Sequence, residues 1–173
     1  EESNTQNESA CDCECVGKYY RHTGSFEKLM QAADGDFGIA LYDCLDEKAY
    51  IGRDRLGIRS LYHAIDGEGN FYVASELKGI PHDLTNVKAF PPGHWASFDV
   101  KTRTLEMNSY YSLYPRVLDM KRPEVSIAEL ANNKEYLEFC KQIELSLTAA
   151  VKKRFMSDRP IGCILSGGLD STT

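Results

Sequence analysis

The residues best suited to chemistry form one short run near the end of the chain, Ser166-Gly-Gly-Leu-Asp-Ser171. Its two glycines let backbone N–H groups approach an anion closely, because glycine adopts positive φ without strain. The two serine hydroxyls can donate to phosphate oxygens, and a helix that begins here would point its positive end at the anion. Asp170 can bind Mg²⁺ or orient the loop. The pattern predicts a phosphate-binding loop.

A second candidate is the run Cys11-Asp-Cys-Glu-Cys15, which holds three of the six cysteines. Such a run can bind a soft metal, but it lacks a second cluster at the spacing of zinc ligands. We therefore expect reduced thiols and no metal site, and the four histidines form no cluster either. Cys44 and Cys163 lie in apolar runs, which predicts that they are small buried side chains.

Composition limits the class of protein that can carry these residues. The chain has 173 residues, 42% of them hydrophobic and 27% charged, with a formal net charge of −6. These values are typical of a globular protein and exclude a disordered chain. No apolar stretch approaches the roughly 20 residues of a membrane helix. The acidic balance argues against a nucleic-acid partner, and the lack of a secretory signal predicts a cytoplasmic protein.

The elements that must position these residues fall into two patterns. Two short helices precede six strand-like runs joined by short turns, which predicts a mainly antiparallel sheet with flanking helices, an α+β fold. Ser25 is predicted to cap the second helix. The helices are expected at 12–21 and 26–33, and the strands at 37–42, 49–53, 61–65, 70–75, 94–100 and 105–111.

The second pattern follows Pro115 and resembles the opening of an α/β domain. Residues 114–131 are predicted to be a linker, and apolar residues at helical spacing predict one helix over 134–156. The apolar run 161–165 predicts a buried parallel strand directly before the loop. The expected domains are therefore 1–113, the linker 114–131, and 132–173.

The loop differs from the Walker-type sequence, since it has no lysine. An SGGxDS run after a strand instead resembles the pyrophosphate-binding loop of the ATP pyrophosphatase superfamily. Those enzymes cleave ATP between the α and β phosphates and adenylate a substrate. The residues that match the ATP- and pyrophosphate-binding stretch are Leu165, Ser166, Gly167, Gly168, Leu169, Asp170 and Ser171.

Four upstream motifs, in order, resemble the glutamine-hydrolysing asparagine synthetases: 35–43 (GDFGIALYD), 52–62 (GRDRLGIRSLY), 72–78 (YVASELK) and 91–93 (PPG). In that family an N-terminal-nucleophile glutaminase domain precedes an ATP pyrophosphatase-type synthetase domain. The resemblance implies ATP-dependent amidation of aspartate through a β-aspartyl-adenylate, with ammonia from glutamine. It implies ATP and Mg²⁺ as cofactors; aspartate, glutamine and ATP as small-molecule partners; and a homodimer of the full-length parent.

The same resemblance assigns Asp12 to the α-amino group of glutamine, and the alternative is that Asp12 only caps its helix. Cys11 departs from the usual serine or threonine before it. Arg53, Asp54 and Arg59 match a segment that is structural rather than catalytic, and Ser60 replaces a proline. The segment Ser75-Glu-Leu-Lys78 resembles one near the domain interface, and a solvated charge cluster is the alternative.

The chain begins with Glu1, and none of its cysteines is N-terminal. The cysteine nucleophile of the family is therefore not represented, and no catalytic residue is assigned. We expect an internal fragment, inactive by itself. The alternatives are a related adenylating enzyme, such as a β-lactam-forming synthetase, and a degenerate non-catalytic binding protein.

Overall fold

The computed structural model describes residues 11, 13–112, 126–157 and 159–172. The chain divides into two compact units, Glu1–Met120 and Lys121–Thr173. The domain boundaries expected from the sequence remain predictions.

Within its described residues, the first unit contains two helices and seven strands. Its helices are α1 (Cys13–Thr23) and α2 (Phe26–Ala32), and a 3₁₀ turn spans Leu77–Gly79. The strands are β1 (Gly38–Asp43), β2 (Lys48–Arg53), β3 (Tyr62–Ile65), β4 (Phe71–Ala74), β5 (Lys88–Ala89), β6 (His94–Asp99) and β7 (Thr104–Ser109).

The strands form two antiparallel sheets, one in the order β1-β2-β6-β7 and one in the order β4-β3-β5. The predicted α+β class with antiparallel pairing is confirmed. The prediction of a single sheet was wrong, because the connection between β2 and β3 carries the chain into a second sheet. The two-residue strand β5 was also missed, since it is too short to show an alternating pattern.

Alternation along the four-stranded sheet separates two hydrophobic cores. Gly52 and Tyr50 of β2 face α2, whose buried Met30 belongs to the first core. Ile51 points to the other face and packs with Phe90 in the second core. The predicted cap is present, because the Ser25 side chain accepts a hydrogen bond from the backbone of α2. The helices therefore cover one face of this sheet, as expected.

The second unit contains α3 (Ile127–Leu130), α4 (Lys134–Lys153) and α5 (Leu169–Thr172). The Asn133 side chain caps α4 by accepting from the Tyr136 N–H, and the predicted long helix is confirmed with an end at Lys153. Most of the predicted linker lies outside the described residues, and α3 occupies part of the rest. Among the described residues, no helix combines the length and apolar character needed to cross a membrane.

The predicted strand over 161–165 was wrong, since these residues have no regular secondary structure. A strand is stabilised by hydrogen bonds to a neighbouring strand. The described part of this unit offers no strand for 161–165 to pair with. An apolar run alone cannot supply that partner.

Candidate functional site

The predicted phosphate-binding loop makes a tight turn into α5. Gly167 has a φ of +76°, in the region that favours glycine. The hydroxyl oxygens of Ser166 and Ser171 lie 2.9 Å apart, and the Ser171 hydroxyl also reaches the carbonyl of Gly168 at 3.1 Å. The Thr172 N–H donates to the same carbonyl at 3.1 Å and closes the first turn of the helix.

The open side of this loop suits the oxygens of a phosphate group. A Cβ built at Gly167 would meet nothing within 4 Å, so the backbone there is open to approach. The potential donors are the glycine-rich backbone and the two serine hydroxyls, which here bond to each other and to the Gly168 carbonyl. Asp170 lies in the first turn of α5, and the flanking Leu165 and Leu169 are 71% and 83% exposed. The chemistry of this donor set fits pyrophosphate.

Asp12, the predicted ligand of glutamine, lies outside the described residues. The segment that follows it does line a cavity of about 490 Å³ between α1 and the start of β1. Cys13, Cys15 and Tyr19 contribute from α1, and Phe37 and Ile39 from the other side. The volume is within the range of small-molecule sites, about 300 to 1,000 Å³.

The cysteines differ from expectation in one respect. Cys44 and Cys163 are exposed, so the prediction that they are buried was wrong. Cys44 lies in the turn after β1, and Cys163 in the irregular segment before the loop, where neither packs into a core. Cys44, Cys140 and Cys163 are free thiols. Within the described ranges, no group of three or more suitable side chains could hold a metal ion.

Arg53, predicted to be structural, binds three backbone carbonyl groups. Its Nε donates to the carbonyl of Arg59 at 2.6 Å, and its two terminal nitrogens donate to Phe90 at 2.6 Å and Gly57 at 2.7 Å. The carbonyl of Arg53 itself accepts from the Tyr110 hydroxyl at 2.8 Å. These contacts fix the connection between β2 and β3.

Asp54 fixes the same connection from the other side. Its side chain is 2% exposed and accepts from the backbone N–H groups of Leu56, Ile58 and Arg59 at 3.1, 2.9 and 3.0 Å. Burial alone would raise the pKa of Asp54, but these N–H donors hold it below its usual value. The carboxylate therefore stays ionised and organises residues 54–60.

A further cavity, of about 420 Å³, combines residues that the sequence motifs do not bring together. Arg59 and Ser60 belong to one sequence motif, Ser75 and Glu76 belong to another, and no motif assigns a site role to Asp36. No spacing rule predicts that they share a cavity, because three distant segments contribute. The lining residues are Asp36, Phe37, Gly38, Arg59, Ser60, Leu61, Ser75 and Glu76.

Comparison with known families gives two matches along the chain. A family described as a glutamine amidotransferase domain matches residues 1–89. A family described as asparagine synthase matches residues 142–173. The first match covers more than half of the chain.

Individual proteins similar to this chain are asparagine synthetases. The chain is 35% identical over 167 residues to the glutamine-hydrolysing asparagine synthetase of Homo sapiens, covering 86% of this chain and 28% of that protein. It is 32% identical to asparagine synthetase 2 of Lotus japonicus, and the match covers 95% of this chain and 25% of that protein. It is 30% identical to a probable asparagine synthetase of Acanthamoeba polyphaga mimivirus, and the match covers 99% of this chain and 32% of that protein. The chain thus spans about a quarter to a third of the length of these curated relatives.

Proposed function

Because this chain belongs to the glutamine amidotransferase domain family, we propose that it is part of a glutamine-hydrolysing asparagine synthetase. The observation that carries the proposal is the order of the two family matches. The amidotransferase match lies in the first compact unit, and the asparagine synthase match lies in the second. The first unit is then part of an N-terminal-nucleophile hydrolase-like domain, and the second begins an α/β nucleotide-binding domain.

The proposed reaction joins two half-reactions. Glutamine and water give glutamate and ammonia. The side-chain carboxylate of aspartate attacks the α-phosphate of ATP, which releases pyrophosphate and forms β-aspartyl-adenylate. Ammonia then displaces AMP and gives asparagine. Adenylation is needed because a carboxylate is a poor electrophile and AMP is a good leaving group.

Two sets of residues carry the proposed roles in this chain. Asp12 pairs with the α-ammonium group of glutamine, as a charge-assisted hydrogen bond. The segment Leu165–Ser171 binds the phosphates of ATP through its hydroxyls and open backbone. Asp170 is the candidate ligand for Mg²⁺, because carboxylate oxygen suits that hard cation.

The loop assignment is tested by calorimetric titration of the 173-residue chain with ATP, with and without Mg²⁺. The unmodified chain should bind, and Ser166→Ala combined with Ser171→Ala should weaken binding by about tenfold or more, as expected for two lost hydrogen bonds to a charged group. Ser146→Ala, an exposed serine within α4, is the matched control and should leave affinity unchanged. Absence of ATP binding under both conditions would refute the assignment.

The isolated polypeptide is expected not to release ammonia from glutamine at an enzyme-like rate. The reason is coverage, since the chain spans only about 28% of the human relative. A coupled glutamate dehydrogenase assay measures the ammonia, with the full-length protein as positive control. Turnover by the 173-residue chain that is comparable to the full-length protein would contradict this expectation.

We further propose a cytoplasmic location and a homodimer for the full-length protein. An enzyme that consumes ATP and free amino acids works in a compartment that holds both. Subcellular fractionation tests the location, and light scattering during size-exclusion chromatography tests the dimer.

A further inference from the structure

Among the described strands, β5 is the shortest. It joins the three-stranded sheet through only two residue pairs, Tyr62 with Ala89 and His63 with Lys88. On the other side of β3, β4 pairs along four residues. Both residues of β5 are exposed, so the separation of β5 from β3 uncovers little apolar surface. It therefore disturbs the fold less than the separation of a longer strand would.

The chain is held to β3 on either side of β5. The Asn86 side chain donates to a β3 carbonyl at 2.6 Å. After β5, the N–H of Phe90 donates to the carbonyl of Leu61 at 2.8 Å, and the carbonyl of Phe90 accepts from the Arg53 guanidinium at 2.6 Å. Asn86 is exposed, whereas Phe90 is completely buried. Residues 86–89 thus form a strap along the edge of β3, with its firm end at Phe90.

His63 of β3 lies opposite the strap and is buried. Its ring is perpendicular to that of Phe90, and within the described ranges its buried Nδ1 has no hydrogen-bond partner. A neutral imidazole can leave one ring nitrogen without a proton, whereas the imidazolium carries a proton on both. Protonation would therefore create a buried donor without an acceptor, in addition to a buried charge.

The groups that face the imidazole offer it no compensating negative charge. From β5, Lys88 lies directly opposite His63, so the two side chains share one face of the sheet. The opposite residue on β4 is Val73, and the four-stranded sheet contributes the uncharged Ile51 and Ala96 to the core beside it. Among the described residues, neither His63 nor Lys88 forms an ion pair. Burial first, and then the charge of Lys88, lower the pKa of His63.

We propose that the strap is an acid-sensitive element: protonation of His63 separates residues 86–89 from β3 and leaves the rest of the first unit folded. Separation lets water reach the imidazolium and moves the ammonium group of Lys88 away from it. This inference does not depend on the proposed function, because the strap includes neither Asp12 nor the phosphate-binding loop.

The direction of the pH effect follows from the two forms of His63. In the separated form its pKa is close to the ordinary value of 6.5, and in the closed form it is lower. The ratio of separated to closed form is therefore constant above about pH 6.5. Below that, it rises by up to about tenfold per pH unit until the pKa of the closed form is reached.

The first test is NMR spectroscopy of the ¹³C,¹⁵N-labelled 173-residue chain between pH 7.5 and 5.0. The imidazole signals of His63 and the amide signals of Lys88 and Ala89 should share one titration midpoint, and the two amides should move towards the positions of an unstructured chain. The amide signals of Ile51 and Ala96, which pair between β2 and β6, should stay in place.

Three results of this titration would overturn the proposal. The strap amides could keep their positions while His63 titrates. All folded signals of the first unit could disappear together, which would indicate global unfolding. His63 could also remain neutral down to pH 5.0.

The second test uses variants of the two facing residues. His63→Phe should make the strap signals independent of pH, whereas His82→Gln, at an exposed position before the strap, should keep the full response. Lys88→Gln should raise the midpoint of His63 towards 6.5 and reduce the strap response, because the facing charge is gone. Lys28→Gln removes an exposed lysine of α2 instead and should leave the midpoint unchanged.

The exposed position of Lys88 keeps this test decisive even if His63→Phe does not fold. An unchanged strap response in a folded His63→Phe variant would refute the proposal. Equal His63 midpoints in the Lys88→Gln and Lys28→Gln variants would refute it as well.

Discussion

His63 lies inside the first unit with only 9% of its surface exposed. Its ring meets the edge of Phe90 at a centroid distance of 5.5 Å. Its buried Nδ1 has no hydrogen-bond partner among the described atoms. Burial lowers the pKa of His63 from its ordinary value of 6.5, and the nearby charge of Lys88 lowers it further. The folded protein therefore holds this imidazole in its neutral form.

This arrangement predicts that acid destabilises the first unit. Unfolded His63 binds a proton more readily than folded His63. The contribution of neutral His63 to stability is therefore complete above about pH 6.5, and it declines as the pH falls towards the lowered pKa of the folded state. The free energy of unfolding should fall by up to about 1.4 kcal/mol per pH unit in that window. Urea unfolding at pH 7.5, 6.0 and 5.0 measures it.

His63→Phe should flatten this pH dependence, because phenylalanine has no proton to gain. His22→Gln, at an exposed position near the end of α1, is the control and should keep the slope of the unmodified chain. If the His63→Phe slope equals that of the unmodified chain, other groups account for the acid sensitivity.

The packing of α2 on the four-stranded sheet depends on the absence of a side chain at one position. A Cβ built at Gly52 would overlap the sulfur of Met30, and it would lie 3.3 Å from a ring carbon of Phe26. Both residues are buried core members of α2. The close packing of α2 on β2 therefore requires a glycine at position 52.

Gly52→Ala is expected to lower the free energy of unfolding by about 1 to 3 kcal/mol, the usual cost of overpacking a core. Chemical denaturation monitored by circular dichroism measures the loss. Gly17→Ala is the matched control, because a Cβ there meets nothing within 4 Å. That helical substitution should stabilise by about 0.5 to 1 kcal/mol. Equal effects of the two substitutions would show that the contact with Met30 is not limiting.

The elements set by local signals were predictable from the sequence. Ser25 before an amphipathic segment marked α2, and the turn at 66–69 marked the hairpin of β3 and β4, both of which the structure contains. Elements that depend on distant partners were not predictable. The run 161–165 has the composition of a buried strand, but apolar composition cannot show whether a neighbouring strand exists. The two-residue strand β5 exists only because β3 pairs with it.

The same distinction applies to the candidate sites. The loop Ser166–Ser171 is contiguous, so its glycines and hydroxyls could be recognised together. The 420 Å³ cavity joins Asp36, Arg59 and Ser75 from three segments, and their proximity follows from sheet topology and from the contacts of Arg53. Only the folded chain brings those three segments together.

At the scale of the whole molecule, the two units differ in how much they bury. Every buried hydrophobic side chain among the described residues lies between Phe26 and Phe98. The apolar side chains of α4 are instead exposed, for example Phe139 at 56% and Leu145 at 58%. A helix that buries little apolar surface has little tertiary stabilisation.

Hydrogen–deuterium exchange should therefore separate the two units in the isolated chain. Amides in β2 and β6, which pair along five residues in the centre of the sheet, should exchange slowly. Amides in α4 should exchange at least about a hundredfold faster, as expected for a helix near the low end of local stability. Mass spectrometry of peptic peptides measures both. Similar protection of α4 and β2 would show that the helix is stabilised by something other than burial.

The contacts of Arg53 and Asp54 have a consequence for how this protein can change in evolution. They hold residues 54–60 almost entirely through backbone N–H and carbonyl groups. The side chains of Leu56 and Ile58 remain 61% exposed and take no part. Mutation can therefore replace the side chains displayed by this loop while its path stays the same. As long as Arg53 and Asp54 are kept, their neighbours can therefore acquire new binding preferences.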